Sequence, residues 1–254
     1  TIPTSAHEKY LCNEFSANGS WSEHFKTKLA AAHSVLGDLL RAGSLGGIHS
    51  AASSSLIVNL KLWPVLDSGC MATTIFQPDH LPERLRLQSF QHKVACKILS
   101  VEYSTDMDVV LTELGWLPAH ARTDISLLVF AGRTLRAPTS CNHQPLLEKA
   151  LADTCDPSPI ISHLRDLSST LGLSFDHCTR NNWKSKVKKA MKLHIHRLRQ
   201  TRLSLKPSFS LLFGSKANLD LAPYLKITPF PGRHLLTKLR LGDLQIQPTL
   251  VCPM

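Results

Sequence analysis

One segment, "RNNWKSKVKKAMKLHIHRLRQTRLSLK" from residue 180 to residue 206, constrains the fold more than any other part of the chain. Its apolar residues recur at helical spacing and form a stripe of Trp183, Val187, Ala190, Met191, Ile195 and Leu198. A stripe of this kind predicts a helix that buries one face against other helices. The segment also contains ten Lys and Arg and no Asp or Glu, so its other face carries charges of one sign.

The first helix of the chain is predicted to begin just after residue 20. Ser20 and Glu23 have the spacing of a capping box, which satisfies the free amides at a helix start. Gly43 is suited to the C-terminal stop, because glycine readily adopts the left-handed conformation that ends many helices. A second helix follows, and Pro64 is predicted to end or kink it because proline has no amide hydrogen.

The same apolar spacing predicts further helices within residues 79–99, 104–116, 117–136, 158–174 and 232–244, with a short one around Leu146 to Leu151. Ser104 or Thr105 is expected to cap the second of these helices. Alternation with a period of two residues does not persist over several segments. The predicted fold is therefore mainly α: an irregular helical bundle that can divide into two helical subdomains.

A proline-containing stretch in the middle of the chain predicts a domain boundary. Residues 138–158 include Pro138, Pro145 and Pro157, and Pro159 follows directly. We interpret 138–158 as a linker that contains the short helix, with helical domains at 1–137 and 159–254.

The charge pattern favours an anionic partner. The net charge is +10, and the 43 residues between Asp176 and Asp220 contain eleven Lys and Arg and no carboxylate. Such a block repels itself unless an anion neutralises it, and nucleic acid is the first candidate. The residues predicted to contact phosphates are Arg180, Lys184, Lys186, Lys188, Lys189, Lys192, Arg197, Arg199 and Arg202. Two alternatives stay open: a solvated face without a specific partner, and binding to an acidic membrane surface.

The sequence contains no complete catalytic or metal-binding signature. The two acids of "DMD" at 106–108 could hold a divalent metal, but acids in a first helical turn also complement the helix dipole. His194 and His196 are two residues apart and point in different directions on a helix, and no set of four zinc ligands is visible. "GSLGG" at 43–47 lacks the Gly-Lys-Ser/Thr of a phosphate loop. We therefore expect no catalytic residue, no metal and no cofactor in this chain.

Cysteine usage predicts an intracellular protein. The seven cysteines are scattered and odd in number, so we interpret them as reduced thiols. The nucleus or another RNA-containing compartment is the expected location. No apolar run approaches the roughly 18–20 residues of a membrane span, so no spanning segment is expected. The leading interpretation includes no membrane partner. The first residues carry no secretion signal and no initiator Met, which indicates a fragment of a longer protein.

Several phrases resemble the part of a non-LTR retrotransposon reverse transcriptase that follows the polymerase palm. "KYLCNEFSANGSWSEHFKTKLAAA" is similar to the entry into the thumb, "LWPVLDSGC" to the family phrase "LPVLDYGCE", and "ERLRLQSFQHKVACKILSV" to the helix that follows it. The best match is "STDMDVVLTELGWLPAHARTDISLLVFAGRTLR", with a Ser-Thr cap, a Glu-Leu-Gly-Trp-x-Pro turn and an Arg-containing helix. "PYLKI" and "GRHLLTKLRLGDL" resemble the stretch before a terminal Cys/His knuckle, in which Cys252 would be the first cysteine.

The resemblance implies a thumb-like helical domain at 1–137 and a basic helical connector domain at 159–254. Polymerase chemistry in this family uses an aspartate pair that holds two magnesium ions, and the sequence contains no Asp-Asp pair. The chain would therefore be catalytically inactive alone, as part of an RNA-directed DNA polymerase. The implied partner is RNA or an RNA–DNA duplex, held by backbone contacts that position the strand without reading its sequence.

Other function classes stay open beside this one. A retroelement-derived structural subunit of a ribonucleoprotein would need only the basic helical scaffold, and other ribonucleoprotein subunits would then be its partners. An enzyme could assemble a pocket from scattered His, Cys and Asp residues. A protein-interaction scaffold could dock an acidic partner on its basic helix.

Overall fold

The computed structural model describes residues 7–10, 13–16, 22–45, 49–67, 81–137, 142–153, 158–175, 182–205, 220–227 and 230–241. These residues are mostly helical, which confirms the prediction of a mainly α fold. They also include an antiparallel hairpin of strands β1 (His7–Tyr10) and β2 (Asn13–Ser16), in which His7 pairs with Ser16. This hairpin was not predicted, because strands of four residues are too short to show a clear alternation in the sequence. The predicted cap Ser20 lies outside the described residues.

Each stretch with helical spacing contains a helix. The helices are α1 (Ser22–Arg41), α2 (Ala51–Ile57), α3 (Leu81–Leu99), α4 (Met107–Glu113), α5 (Ala119–Thr134), α6 (His143–Ala152), α7 (Pro159–Leu171), α8 (Trp183–Ser204), α9 (Tyr224–Ile227) and α10 (Phe230–Leu241). Helix α6 lies within the predicted linker and contains the short helix expected there.

The predicted end of helix α1 is confirmed. Gly43 has a φ of +63°, and the Ser44 amide beyond it donates to the Leu39 carbonyl at 2.9 Å. The predicted cap of α4 is wrong, because Asp106 fills that position instead of Ser104 or Thr105. The Oδ1 atom of Asp106 accepts from the Asp108 amide at 2.9 Å. The first acid of "DMD" is thus used by the helix itself.

Pro64 does not end its helix. Helix α2 continues through a π-helical turn, Val58–Leu62, and then as α-helix over 63–67. The Trp63 amide donates to the Val58 carbonyl, five residues back. Because the wider turn has already shifted the hydrogen-bond pattern, the next residue can lack an amide without breaking the helix.

The core consists of two hydrophobic clusters. The first comes mainly from helices α1 to α4, and in it the rings of Trp63 and Trp116 meet edge to face with centroids 5.8 Å apart. The second joins α5 to α7 and α8, and in it the Trp183 indole donates to the Leu128 carbonyl at 2.8 Å. The clusters do not follow chain order, because α5 precedes the predicted linker but packs with the helices beyond it. The domain boundaries therefore stay a prediction.

Helix α8 contributes to both clusters. Its buried residues recur at every fourth position, and they are Trp183, Val187, Met191, Ile195, Arg199 and Leu203. A step of four residues exceeds the helical repeat of 3.6, so the buried row turns by about 200° from one end of the helix to the other. The first four residues pack in the second cluster, and Leu203 packs in the first. The predicted stripe was wrong at its end, because Leu198 is 41 % exposed and Arg199 takes the buried position.

A buried ion pair fixes the last helices to the first cluster. Glu113 at the end of α4 is completely buried, and its Oε1 accepts from Nη2 of Arg240 at 2.9 Å and from its Nε at 3.1 Å. The backbone carbonyl of Glu113 accepts from the Ala222 amide at 2.9 Å. Burial is the main cause that raises the pKa of Tyr224, and the nearby charge of Glu113 raises it further. One carboxylate thus links α4 to the segment that carries α9 and α10.

We expect the substitution Glu113→Gln to lower the free energy of unfolding by about 1.5–3 kcal/mol, because charge-assisted hydrogen bonds contribute that much. Urea unfolding followed by circular dichroism measures the change. The control is Glu148→Gln on α6, where the carboxylate is exposed and the expected change is below about 0.5 kcal/mol. Equal stability of the two variants would contradict the role of the buried pair.

We also expect the protein to lose stability on mild acidification. Burial lowers the pKa of His33, His92 and His120 below the ordinary value. The unfolded chain therefore binds more protons than the folded one as the pH falls through about 6.5, and the free energy of unfolding decreases. Urea midpoints at about pH 7.5 and about pH 5.5 measure this decrease while carboxylates stay ionised. The decrease should be smaller in His120→Gln; a midpoint that rises on acidification would disprove the prediction.

Candidate functional site

Helix α8 presents a row of charges to solvent. Six of the predicted phosphate-binding residues are exposed, and we call them the α8 cationic face: Lys184, Lys186, Lys188, Lys189, Lys192 and Arg197. Among the residues that the structure describes, no carboxylate lies within 4.0 Å of their side-chain nitrogens. Their charges are therefore available to an anion from outside the described chain.

The other predicted cations are not equivalent to these six. Arg180 lies outside the described residues. Arg202 is 65 % exposed, but its Nη1 lies 3.4 Å from Oδ2 of Asp108, so its charge is partly neutralised within the molecule. The second acid of "DMD" is thus engaged by an arginine of α8. No group of three metal-ligating side chains occurs in the described part of the chain.

Arg199 has a structural position, and its predicted role as a phosphate contact is wrong. It is only 3 % exposed, its Nη2 donates to the Trp116 carbonyl at 2.8 Å, and its Nε lies 3.8 Å from Oδ1 of Asp108. Burial lowers the pKa of Arg199 to about 10, so the guanidinium stays charged at neutral pH. It connects α8 to the loop before α5 instead of facing solvent.

A groove of about 550 Å³ runs between helices α5 and α8. One wall carries Lys184, Lys188 and Lys192, each of which directly follows a residue of the buried row. The other wall carries Arg122 and Arg133 of α5. The groove has five cations on its lining, so it attracts anions more strongly than the rest of the helix surface.

Asp67 is the acid among the residues that line this groove, and it is already paired. Its Oδ2 accepts from Nη2 of Arg122 at 3.0 Å. The guanidinium of Arg122 also lies over the ring of Trp63, 4.7 Å from the centroid. Because Arg122 neutralises Asp67, the positive charge of the lysines and Arg133 in the groove is not compensated by any of the described residues that line it.

Phe130 is the feature of this groove that the sequence analysis missed. It lies on α5, lines the groove and is 59 % exposed. Trp183, the aromatic residue inside the basic segment, was expected to pack inside, and its burial confirms this. A signal for Phe130 existed, because the residue falls outside the apolar stripe of α5 that includes Ile125 and Leu128. A large aromatic residue on the polar side of an amphipathic helix is therefore a sequence signal for a surface aromatic ring.

A smaller cavity of about 190 Å³ adjoins the groove and shares Leu117, Arg122 and Lys192 with it. Trp63, Trp116, Gln91 and Asn59 also line this cavity. The Gln91 amide nitrogen donates to the Leu117 carbonyl at 2.8 Å. Two aromatic rings and two side-chain amides thus lie next to the cationic groove.

Comparison with protein-family models, with curated proteins and with solved structures gave no match. No helix among the described residues has the length and apolar character needed to cross a membrane. The chemistry of the groove and of the α8 cationic face is therefore the basis for assigning a function.

We expect Arg199→Ala to lower the free energy of unfolding by about 1–3 kcal/mol, because the buried Trp116 carbonyl would lose its donor. The control is Lys189→Ala on the same helix, which removes an exposed charge and should cost less than about 0.5 kcal/mol. Urea unfolding measures both. A change in Arg199→Ala as small as that in the control would show that the buried guanidinium is dispensable.

Proposed function

We propose that this chain binds nucleic acid through phosphate contacts, as the nucleic-acid-holding C-terminal part of a retroelement reverse transcriptase. The observation that carries the proposal is the α8 cationic face, six exposed charges without a carboxylate partner among the described residues. A face that served only solubility would not need charges of one sign. A polyanion would neutralise those of the six charges that its phosphates reach.

The spacing of the lysines on the groove wall supports phosphate as the ligand. Lys184, Lys188 and Lys192 are each four residues apart, which separates neighbouring positions by about 6 Å along the helix axis. This separation is similar to that of successive phosphates along one strand. Lysine binds phosphate as a mobile point charge, so such contacts hold a strand without reading its bases.

The retroelement part of the proposal rests on the sequence resemblance. In that family the polymerase chemistry needs an aspartate pair, and this sequence contains no Asp-Asp pair. We therefore assign the chain a holding role, with RNA or an RNA–DNA duplex as its partner and no catalysis of its own. A structural RNA-binding subunit of a ribonucleoprotein would use the same surface in the same way.

Salt-dependent binding tests the proposal. We expect a fluorescein-labelled RNA–DNA duplex to bind with a logarithmic salt slope of up to about −5 if all six residues contact phosphates. Two matched variants each remove three charges: Lys184, Lys188 and Lys192 to Gln on the groove side, and Lys186, Lys189 and Arg197 to Gln on the outer side. Each set should reduce the slope by up to about 2.7, and the six-fold variant should lose most of the affinity. Fluorescence anisotropy at several salt concentrations measures these values.

The fold of each variant is checked by circular dichroism, because all six residues are exposed and their replacement should leave the helices intact. A folded six-fold variant that binds the duplex as tightly as the unmodified chain would refute the proposal. Polyglutamate that competes as well as RNA at equal charge would favour an acidic protein partner instead.

A further inference from the structure

We infer that the groove between α5 and α8 binds an unpaired stretch of nucleotides, with one base stacked on the ring of Phe130. The inference rests on the proposed nucleic-acid binding and extends it, because phosphate contacts alone would hold a duplex and a single strand alike. Three properties of the groove carry it: a free aromatic ring, a row of cations opposite that ring, and a size that fits a single strand.

The Phe130 ring is free to receive a base. It is 59 % exposed, and no aromatic ring or guanidinium group of the described residues covers it. A single exposed apolar residue is ordinary on a protein surface. Phe130 differs because it lines a groove whose opposite wall is cationic. A nucleobase combines an apolar face with an attached phosphate and therefore matches both walls.

The positions of the cations fit a strand that lies along the groove. Arg133 is three residues after Phe130 on α5, so the two side chains are neighbours on one helix face. The lysines at 184, 188 and 192 extend over about 12 Å of the facing helix. A phosphate beside the stacked base can thus contact Arg133, while the phosphates on either side of it contact the lysine row.

The strand must be unpaired at this point. In a duplex each base is covered by its neighbours, whereas an unpaired base exposes its face to an aromatic side chain. The volume of about 550 Å³ lies within the range of about 300–1,000 Å³ that encloses a single small ligand. The groove has room for one or two nucleotides, whereas a double helix would have to stay outside it and would contact only the exposed ends of its lysines.

The substitution Phe130→Ala tests the inference. Fluorescence anisotropy would compare four ligands of equal length: oligo(rU), oligo(dT), the same backbone with abasic sites, and an RNA–DNA duplex. We expect the variant to lose about 5- to 150-fold in affinity for the oligonucleotides with bases, the range that one stacked base contributes. Binding of the abasic strand and of the duplex should not change. A loss of affinity for oligo(rU) or for oligo(dT) supports the inference. The larger of the two losses shows whether ribose or deoxyribose is the preferred sugar.

Two further variants separate stacking from a general effect of the substitution. Phe130→Trp keeps a flat ring and should bind at least as tightly as the unmodified chain. Tyr103→Ala removes an aromatic residue that is 55 % exposed outside the groove and should leave the affinity unchanged. An unchanged affinity of Phe130→Ala for the oligonucleotides, or an equal loss for the duplex, would overturn the inference. If Phe130→Ala had no such selective effect but the unmodified chain still bound the duplex, only the inference about the groove would fail and the proposed function would survive. If the unmodified chain bound none of the four ligands at low salt, the inference and the proposed function would both fail.

Discussion

The packing of helix α8 is the constraint on which the rest of this structure depends. Its buried row advances four residues at a time, so one end of the helix packs on α5 and the other end reaches the cluster of α1 to α4. The Trp183 indole anchors the first end by donating to the Leu128 carbonyl, and Arg199 joins the C-terminal part of the helix to the Trp116 carbonyl. Because this row uses every fourth position, the residues between are left for solvent, and they carry the cations.

The groove follows from that packing. Helix α5 contributes its apolar stripe to the second cluster, which turns Phe130 and Arg133 away from the core. Helix α8 places a lysine directly after each of its first three buried residues, and these lysines form the opposite wall. The acid at the groove is already satisfied by Arg122, which also lies over Trp63. A site that combines free positive charge with a free aromatic ring matches the two chemical parts of a nucleotide.

Charged side chains in the interior of this protein are paired with opposite charges, whereas many at the surface of α8 have no such partner among the described residues. In the interior, Glu113 accepts two hydrogen bonds from Arg240, and the buried Arg199 lies near the partly buried Asp108. The exposed Arg202 approaches the same Asp108 from the surface. A buried charge that lost its partner would carry a large desolvation cost, so removing one member of a buried pair would destabilise the fold. At the surface the lysines of α8 have no such partner among the described residues, and water solvates them at little cost until an anion binds. The interior pairs support the helices, and the α8 cations without a carboxylate partner among the described residues are the basis of the proposed nucleic-acid binding.

The sequence by itself determined which stretches are helical and which positions carry charge, since both depend on local spacing and composition. It predicted α1, α3, α5, α7 and α8, the stop at Gly43 and the burial of Trp183. Only the tertiary structure decided that Arg199 is internal, that the helix continues past Pro64, and that Phe130 lies opposite the lysines. The periodicity of one helix shows which residues face the same way, but it does not show what a neighbouring helix brings to them. Whether an arginine is a core donor or a surface cation depends on a carbonyl 83 residues away in the chain, and no local pattern contains that contact.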